Sequence, residues 1–320
     1  MRAALLLGAL CTRAASAQSA TRLRVEYLDA PITIDEPLPR FSFALSHPDR
    51  GVTLQSYQIT VTDVSPVSSA QLMWDSGRVV ANSSLNIEYR GIKLTSDSDY
   101  AWTATWWSNS SSAPSSTARS TFSTALLDGA GGAQWIAPAA GNNLLRAEFS
   151  VAGAPVRARL YVSGLGYYRS FLNGLATDAH VMGSFTVFEK RILYDVWDVT
   201  PLVKEGCNAL GVALGRGWYN QSSIKSGPIS LWALLTVDTA DGKRASFSTS
   251  TAGGAWSSAQ GPVVADEIYL GEHFDARLVQ PGWNACGFAN ASAWQPATPT
   301  RDATQNASFN AHALSVVTDV

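Results

Sequence analysis

The chain has 320 residues, a length that suits two domains of ordinary size. Hydrophobic residues make up 46% of it and charged residues 15%, with a formal net charge of −2. This composition excludes global disorder, and the lack of any Lys/Arg-rich run argues against a nucleic-acid-binding surface. No internal apolar run reaches the roughly 18 residues of a membrane-spanning helix. We therefore expect a globular protein with neither a nucleic acid nor a membrane as its partner.

The first residues have the pattern of a secretory signal peptide. Arg2 is followed by an apolar segment at 3–11 and by an Ala-Ser-Ala cleavage motif at 15–17. Residues 1–17 are therefore predicted to be removed and the protein to be secreted and extracellular; the alternative is an apolar start to a cytosolic protein. Secretion also agrees with Asn-x-Ser sequons, which predict a glycoprotein, at Asn82, Asn109, Asn220, Asn290 and Asn306.

Cysteine usage leaves two alternatives open. Signal cleavage would remove Cys11 and leave Cys207 and Cys286. In an oxidising compartment this pair can form a disulfide, and otherwise both can be buried free thiols. The sequence contains neither Cys-x-x-Cys nor His-Glu-x-x-His, which argues against a zinc site.

A first domain is predicted at 22–126, with residues 18–30 as a leader. Its clearest strand places Tyr100, Trp102 and Trp106 on one face, a period-two pattern typical of a core-facing strand. The alternative for these rings is a sugar-stacking platform. Short strands separated by turn residues predict a fibronectin type III-like β-sandwich. They are expected at 41–45, 57–62, 73–77, 86–89, 100–106 and 121–123.

After a Gly-rich linker at 127–132, a second domain is predicted at 134–300, followed by a tail at 301–320. Asn173-Gly174 indicates a tight hairpin turn, because both residues tolerate positive φ. Further strands are expected at 145–151, 160–164, 166–172, 191–197, 208–214, 231–237 and 245–249.

One short helical turn is expected in this second domain. Thr200-Pro201 has the pattern of a helix start, and Gly206 is expected to close the single turn. Helical periodicity over ten residues is absent from the sequence. The predicted fold class is therefore all-β, with a fibronectin type III-like sandwich followed by a jelly-roll-like module.

Paired carboxylates near aromatic residues are the first candidates for chemistry. Asp266, Glu267, Glu272 and Asp275 have the composition of a sugar site in which one carboxyl acts as acid and another as base. The alternative is that these groups are solvated or paired with Arg277. A working pair needs burial in a pocket, which sequence spacing does not reveal.

A second candidate lies near the predicted hairpin turn. Asp178, His180 and Glu189 have side chains that can bind a calcium ion or a sugar. The alternative is that they are ordinary polar residues of a surface loop.

Several motifs together carry a resemblance to a known family. They are Leu-Tyr-Val-Ser-Gly-Leu-Gly-Tyr-Tyr at 160–168, Leu-Asn-Gly at 172–174, Asn-Ala-Leu-Gly-Val at 208–212, Gly-Arg-Gly-Trp-Tyr at 215–219 and Gly-Glu-His-Phe-Asp-Ala-Arg at 271–277. Upstream, Asp-Glu-Pro-Leu-Pro-Arg-Phe-Ser at 35–42 and Trp-Asp-Ser-Gly at 74–77 extend the match. Residues 24–295 resemble the N-terminal region of bacterial and fungal α-L-rhamnosidases, a fibronectin III-like domain followed by a carbohydrate-binding-like β-sandwich.

The resemblance implies a non-catalytic N-terminal portion of a glycoside hydrolase that binds rhamnose-containing glycans. It implies sugar binding by Asn173, Asp178, His180 and Trp218, with calcium as a cofactor at Asp178, although Asp178 is offset by one position from the acid expected in the family. The family's catalytic carboxylates lie in an (α/α)₆ barrel that this sequence lacks, so no catalytic residue is assigned. The partner implied is such a catalytic domain. The alternative is a truncated scaffold that functions only when joined to that domain.

Overall fold

A computed structural model of the chain describes residues 18–110, 114, 116–129, 131–177, 183–221, 227–250, 256–289, 294–300 and 307–311. In these ranges the chain forms β-strands and two short 3₁₀ turns and no α-helix, which confirms the all-β prediction. Within the same ranges, no helix has the length and hydrophobicity that crossing a membrane requires. The predicted signal peptide, 1–17, lies outside the described residues.

The first sandwich is built from two antiparallel sheets. One sheet runs in the order β2-β1-β3-β7, and the other runs β5-β4-β8-β9 with β6 also paired to β4. The strands are β1 (Ser19–Val25), β2 (Leu28–Asp29), β3 (Arg40–Ser46), β4 (Leu54–Asp63), β5 (Gln71–Asp75), β6 (Val79–Val80), β7 (Ile87–Glu88), β8 (Asp99–Ser108) and β9 (Ser116–Ser123).

Aromatic side chains fill the core between these sheets. Tyr100, Trp102 and Trp106 of β8 have no exposed surface. The Trp102 ring lies 4.8 Å from the ring of Phe41 on β3, in the opposite sheet. The alternation along β8 therefore marks a core face, as predicted, and the sugar-platform alternative for these rings is wrong.

The prediction of a leader at 18–30 is wrong, because this stretch contains a strand. Residues Ser19–Val25 form β1, which pairs antiparallel with β3, and Val25 is fully buried. A bulge between Thr21 and Arg24 interrupts the register, and Arg22 has a positive φ of 47°. An added residue in a bulge breaks the period-two alternation, so this strand has no clear signature in the sequence.

The second sandwich also has two main sheets. The back sheet runs β23-β10-β17-β12-β15-β24, with β18 paired to β17, and the front sheet runs β14-β13-β16-β11-β19-β22. Its strands are β10 (Ile136–Ala137), β11 (Leu144–Val151), β12 (Pro155–Leu165), β13 (Tyr167–Leu172), β14 (Leu175–Ala176), β15 (Arg191–Asp198), β16 (Gly206–Gly215), β17 (Ser230–Thr239), β18 (Arg244–Ser248), β19 (Ser257–Ala259), β20 (Val263–Glu267), β21 (Gly271–Phe274), β22 (Gln295–Pro296), β23 (Thr298–Pro299) and β24 (Ser308–Ala311).

The back sheet is buried on both faces. On β12, Leu160 and Val162 belong to the core shared with the front sheet, whereas Tyr161 belongs to a second core on the opposite side. All ten residues of β17 are buried. Burial on both faces explains why these strands read as continuous apolar runs instead of alternating ones.

Local turns follow the sequence closely. Asn173 and Gly174 have φ values of 53° and 88° between β13 and β14, so both central residues of this hairpin turn have positive φ, as predicted. The predicted helical turn is a 3₁₀ turn at Thr200–Leu202 with proline in its first positions, and Gly206 follows it with a φ of 82°.

A short strand lies in the predicted tail at 301–320. Ser308–Ala311 forms β24, which pairs in parallel with β15 at the edge of the back sheet. A parallel partner so far away along the chain leaves no local turn signal, which is why the sequence does not reveal this strand.

Candidate functional site

A cleft of about 530 Å³ lies on the outer face of the front sheet. Side chains alternate along β13: Tyr168 and Leu172 enter the core, whereas Tyr167, Arg169 and Phe171 line the cleft. The period of the strand therefore places two aromatic rings and one guanidinium on the open face.

Small residues of β16 make the space beneath the cleft. Val212 and Leu214 of this strand belong to the hydrophobic core, whereas Ala213 and Gly215 line the cleft. A Cβ added at Gly215 would lie in ordinary contact with the cleft wall, 3.5 Å from Oδ2 of Asp266. Larger residues at these outward positions would fill the cleft.

One wall of the cleft is the hairpin formed by β20 and β21. Asp266 is the cross-strand partner of Glu272, and both residues line the cleft together with Glu267. Oδ1 of Asp266 accepts a hydrogen bond from the backbone N–H of Arg216 at 2.8 Å, which ties the hairpin to the end of β16. Among the described lining residues these carboxylates outnumber the guanidinium of Arg169, so the rim is negatively charged.

The opposite wall is Trp283. Its ring lies edge-on to the ring of Phe171 at 5.9 Å and stacks on Trp294 at 5.8 Å with an interplanar angle of 22°. Gly211 of β16 lies directly beneath, where an added Cβ would come within 2.8 Å of the indole. Glycine at this position allows the tryptophan to lie flat against the sheet.

Residues 281–288, called here the Trp283 loop, are fastened to the front sheet by polar contacts. The buried Arg146 of β11 donates from Nε to the carbonyl of Trp283 at 2.7 Å and from Nη2 to the carbonyl of Ala285 at 3.1 Å. Glu148 pairs with Arg146 and accepts a hydrogen bond from the backbone N–H of Gly287 at 3.0 Å. Although partial burial would raise the pKa of Glu148, its contacts with Arg146 lower it. The loop is therefore anchored by an ionised pair.

A disulfide fastens the same loop. Cys207 of β16 is bonded to Cys286 across 79 residues of sequence. Of the two alternatives that the sequence leaves open, the structure therefore selects the disulfide.

An aromatic ridge of Phe185, Trp218 and Tyr269 lies beside the cleft. The Trp218 ring is 5.1 Å from Phe185 and 5.9 Å from Tyr269. Phe185 is 64% exposed and Tyr269 is 74% exposed. Exposed rings next to a cleft are a typical stacking surface for sugars and for protein partners.

The sequence-predicted sugar-binding residues fall in different places. Trp218 lies in the aromatic ridge, whereas the Asn173 amide is engaged inside the protein. Its Nδ2 donates to the carbonyl of Leu202 at 2.9 Å and to Oδ1 of Asn208 at 2.8 Å, and its Oδ1 accepts from the N–H of Ala209 at 3.0 Å. These hydrogen bonds show that the Asn173 side chain stabilises the turn.

Two further predicted residues, Asp178 and His180, lie outside the described residues, as does the predicted calcium site at Asp178. Among the residues that the structure does describe, the group that offers three potential metal ligands is Glu148 with Cys207 and Cys286. Both sulfurs of this group are joined in the disulfide, and calcium takes oxygen ligands. This group does not fit calcium, and the calcium site stays a prediction.

Paired carboxylates were the other sequence-based candidates. Asp275 forms an ion pair with Arg277 at 2.6 Å, and hydrogen bonds from Arg277 lower the pKa of Asp275. The predicted alternative of pairing with Arg277 is therefore confirmed for Asp275. Glu272 is exposed on β21 at the rim of the cleft.

Sequence reasoning missed three aromatic residues of the site as functional residues: Tyr167, Phe171 and Trp283. The alternation along β13 could have placed Tyr167 and Phe171 on the face opposite the core residue Tyr168. Trp283 had no such signal, because only tertiary contacts bring its loop to the front sheet.

Two protein-family models match the chain. The model described as "Alpha-L-rhamnosidase N-terminal domain" matches residues 153–317. A second model, described as "Rha78A-like, N-terminal immunoglobulin domain", matches residues 20–128. Together they span both sandwiches.

Individual proteins give the same result. An alpha-L-rhamnosidase of Formosa agariphila is 26% identical over 321 residues, a match that covers 87% of this chain and 33% of the relative. One from Streptomyces avermitilis is 37% identical over 169 residues, covering 50% of this chain and 16% of the relative. The solved alpha-L-rhamnosidase of Dictyoglumus thermophilum has a TM-score of 0.81 at 26% identity, covering 92% of this chain and 35% of that chain. The chain spans about a third, or less, of the length of these curated relatives.

Proposed function

The chain belongs to the α-L-rhamnosidase N-terminal domain family, and on that basis we propose that it is a secreted, non-catalytic module that binds rhamnose-containing glycans. It corresponds to the N-terminal portion of the family's proteins. Its proposed partner is a catalytic (α/α)₆ domain, to which it presents the glycan. Family membership alone does not establish a ligand, so the proposal depends on the cleft.

The observation that carries the proposal is the combination of aromatic rings and carboxylates in that cleft. Tyr167, Phe171 and Trp283 offer apolar faces on which the C–H face of a sugar can pack. Asp266 and Glu272 offer acceptors for sugar hydroxyls at the rim. A concave site with an apolar lining and a few polar groups is typical of small-ligand binding. L-Rhamnose fits this lining well, because its C6 methyl group adds an apolar contact that most hexoses lack.

The non-catalytic part of the proposal is supported by the state of Asp275. Glycoside hydrolysis requires one carboxyl that stays protonated near neutral pH beside a second one that is ionised. Asp275 has a lowered pKa, caused by Arg277, and so is unsuited to the role of acid. The proposed source of hydrolysis is the longer part of such enzymes that this chain does not span.

Secretion is supported by the disulfide between Cys207 and Cys286, because disulfides form and persist in oxidising compartments. Of the described sequon asparagines, Asn82 and Asn109 are exposed, but the amide oxygen of Asn109 accepts a hydrogen bond from the N–H of Thr53. Asn220 is half-buried and its amide donates to the carbonyl of Gly227. We therefore expect Asn82 to be a glycosylation site of the secreted protein.

Calorimetry with L-rhamnose tests the proposed function. We expect heat of binding for the full chain, and a loss of affinity in Tyr167→Ala. A matched control is Tyr27→Ala, which removes an exposed tyrosine from the first sandwich. Titrations with added calcium and with a chelator test the predicted calcium dependence. The absence of heat in both conditions would contradict glycan binding and leave the scaffold alternative.

A further inference from the structure

We propose that the Cys207–Cys286 disulfide and Arg146 are positioning groups that hold Trp283 in the wall of the cleft, so that reduction of the disulfide releases the wall. The effect on ligand affinity depends on the proposed function. The effect on the loop does not, and the two are measured separately.

Contacts converge on the Trp283 loop from three strands of the front sheet. Arg146 of β11 holds the carbonyls of Trp283 and Ala285. The backbone N–H of Gly174, in the turn after β13, donates to the carbonyl of Asn284 at 3.0 Å. From β16 comes the disulfide to Cys286. The described loop pairs with no strand, so these tethers replace the backbone ladder that fixes the rest of the sheet.

Trp283 needs such tethers because its ring is closely packed between the sheet and another ring. Its ring must pass over Gly211, with the indole close enough to exclude even a Cβ, while it also stacks on Trp294. A small outward shift of the loop would separate the ring from Phe171 and widen the cleft. Tethers at the carbonyl of Trp283 and, three residues later, at Cys286 limit that shift.

The disulfide is the tether that a reductant can reach. Cys207 is exposed, whereas Arg146 is buried. With dithiothreitol, one thiolate attacks a sulfur of the disulfide and breaks the S–S bond, forming a mixed disulfide. The second thiolate of the reagent then displaces the remaining protein sulfur. Two protein thiols result, and the reagent leaves as its cyclic disulfide, so two electrons and two protons have moved to the protein.

Hydrogen exchange measured by mass spectrometry tests the release of the wall. The full chain is compared before and after treatment with dithiothreitol, following peptides that cover 281–288 and, as an internal control, peptides of β8. We expect exchange in the loop to become about tenfold faster or more, with no change in β8. Unchanged exchange in the loop would overturn the proposal. Faster exchange throughout the second sandwich would also overturn it, because the disulfide would then stabilise the whole fold.

Variants of Arg146 separate positioning from general stability. In the oxidised protein, Arg146→Met should accelerate exchange in the loop, and Arg146→Lys, which keeps the charge, should restore part of the protection. Arg119→Met, at an exposed arginine of β9, is the matched control and should leave the loop unchanged. Equal exchange in all three variants would overturn the role of Arg146.

Calorimetry with L-rhamnose then connects the wall to binding. Loss of one aromatic contact predicts a roughly two- to tenfold weaker affinity in the reduced protein. A double variant with Cys207→Ser and Cys286→Ser should bind with this weaker affinity and ignore the reductant. Equal affinity in both redox states would overturn the link to binding. If the oxidised protein bound no rhamnose, the proposed function would fail, while the exchange result would still decide the positioning role.

Discussion

The guanidinium of Arg157 lies 2.7 Å from the carboxylate of Asp97, and each residue is only 4% exposed. Arg157 belongs to β12 of the second sandwich, whereas Asp97 precedes β8 of the first. Nε of Arg157 also contacts Asp99 at 2.7 Å, and the hydroxyl of Tyr161 donates to Asp97 at 2.5 Å. Burial alone would lower the pKa of Arg157, but Asp97 and Asp99 raise it, so the arginine stays charged. The two sandwiches are therefore joined by a buried ionic cluster.

Replacement of Arg157 should destabilise the protein strongly. Arg157→Met removes the ion pair from Asp99 and leaves Asp97 with the longer pair to Arg244 at 3.3 Å, and removing one partner of a buried ion pair costs about 3–5 kcal/mol. Urea denaturation followed by circular dichroism measures this loss in the free energy of unfolding. The control is Arg24→Met, which breaks an exposed ion pair with Asp29 and should cost less than about 1 kcal/mol. Similar losses in the two variants would show that the cluster does not hold the sandwiches together.

Two tryptophans of β8, Trp102 and Trp107, should differ sharply in their effect on stability. Trp102 is fully buried between the sheets, so Trp102→Ala should lower the free energy of unfolding by about 3–5 kcal/mol. Trp107 is half-buried on the outer side, where the guanidinium of Arg78 lies 4.5 Å from its ring. Trp107→Ala should cost about 1 kcal/mol, since it removes mainly that exposed cation–π contact. Equal losses in thermal or urea unfolding would contradict the assignment of the core face.

The sequence predicts local features of this fold well. Period-two alternation identifies β8 because its core face and its outer face are chemically different. Asn173 and Gly174 predict the hairpin turn because few other residue types adopt positive φ readily. Period-two alternation does not identify β1, because its bulge at Thr21–Arg24 shifts the apolar residues out of phase.

Features that depend on contacts between distant segments cannot be predicted from the sequence alone. The cleft joins Tyr167, Asp266 and Trp283, which lie on separate segments and meet only after the front sheet has formed. Cys207 and Cys286 gave no basis for choosing between a disulfide and two thiols, because their distance depends on where the Trp283 loop docks. From the sequence alone, Arg157 and Asp97 are expected at the surface. Only the contact between the two sandwiches buries them as a pair.

Acid should weaken the protein partly through Asp198. Burial would raise the pKa of Asp198, but Arg159, 2.7 Å away, and Thr200 lower it below the ordinary value of an aspartate. A carboxylate with a lowered folded-state pKa contributes stability above its unfolded pKa and loses it as pH falls through the folded pKa. We therefore expect Asp198→Asn to be less stable than the original protein at pH 6, with a difference that shrinks below about pH 4. Urea denaturation from pH 6 to pH 3 measures that difference.

A constant difference across this pH range would contradict the ionic origin of the effect. Thr249→Val gives a useful comparison, because it removes a buried hydroxyl that is bonded to the backbone of Ala233 and does not titrate. Its stability difference from the original protein should stay the same from pH 6 to pH 3.

The chain by itself should not hydrolyse α-L-rhamnosides. Glu272 is exposed at the open rim of the cleft, and Arg277 lowers the pKa of Asp275, so Asp275 lacks the environment of a protonated acid near neutral pH. Incubation of the purified chain with p-nitrophenyl α-L-rhamnoside should release p-nitrophenol no faster than buffer does. Glu272→Gln should behave identically. Turnover by the original chain that disappears in Glu272→Gln would show that the cross-strand carboxylates Asp266 and Glu272 form an active centre, and the module would then be an enzyme.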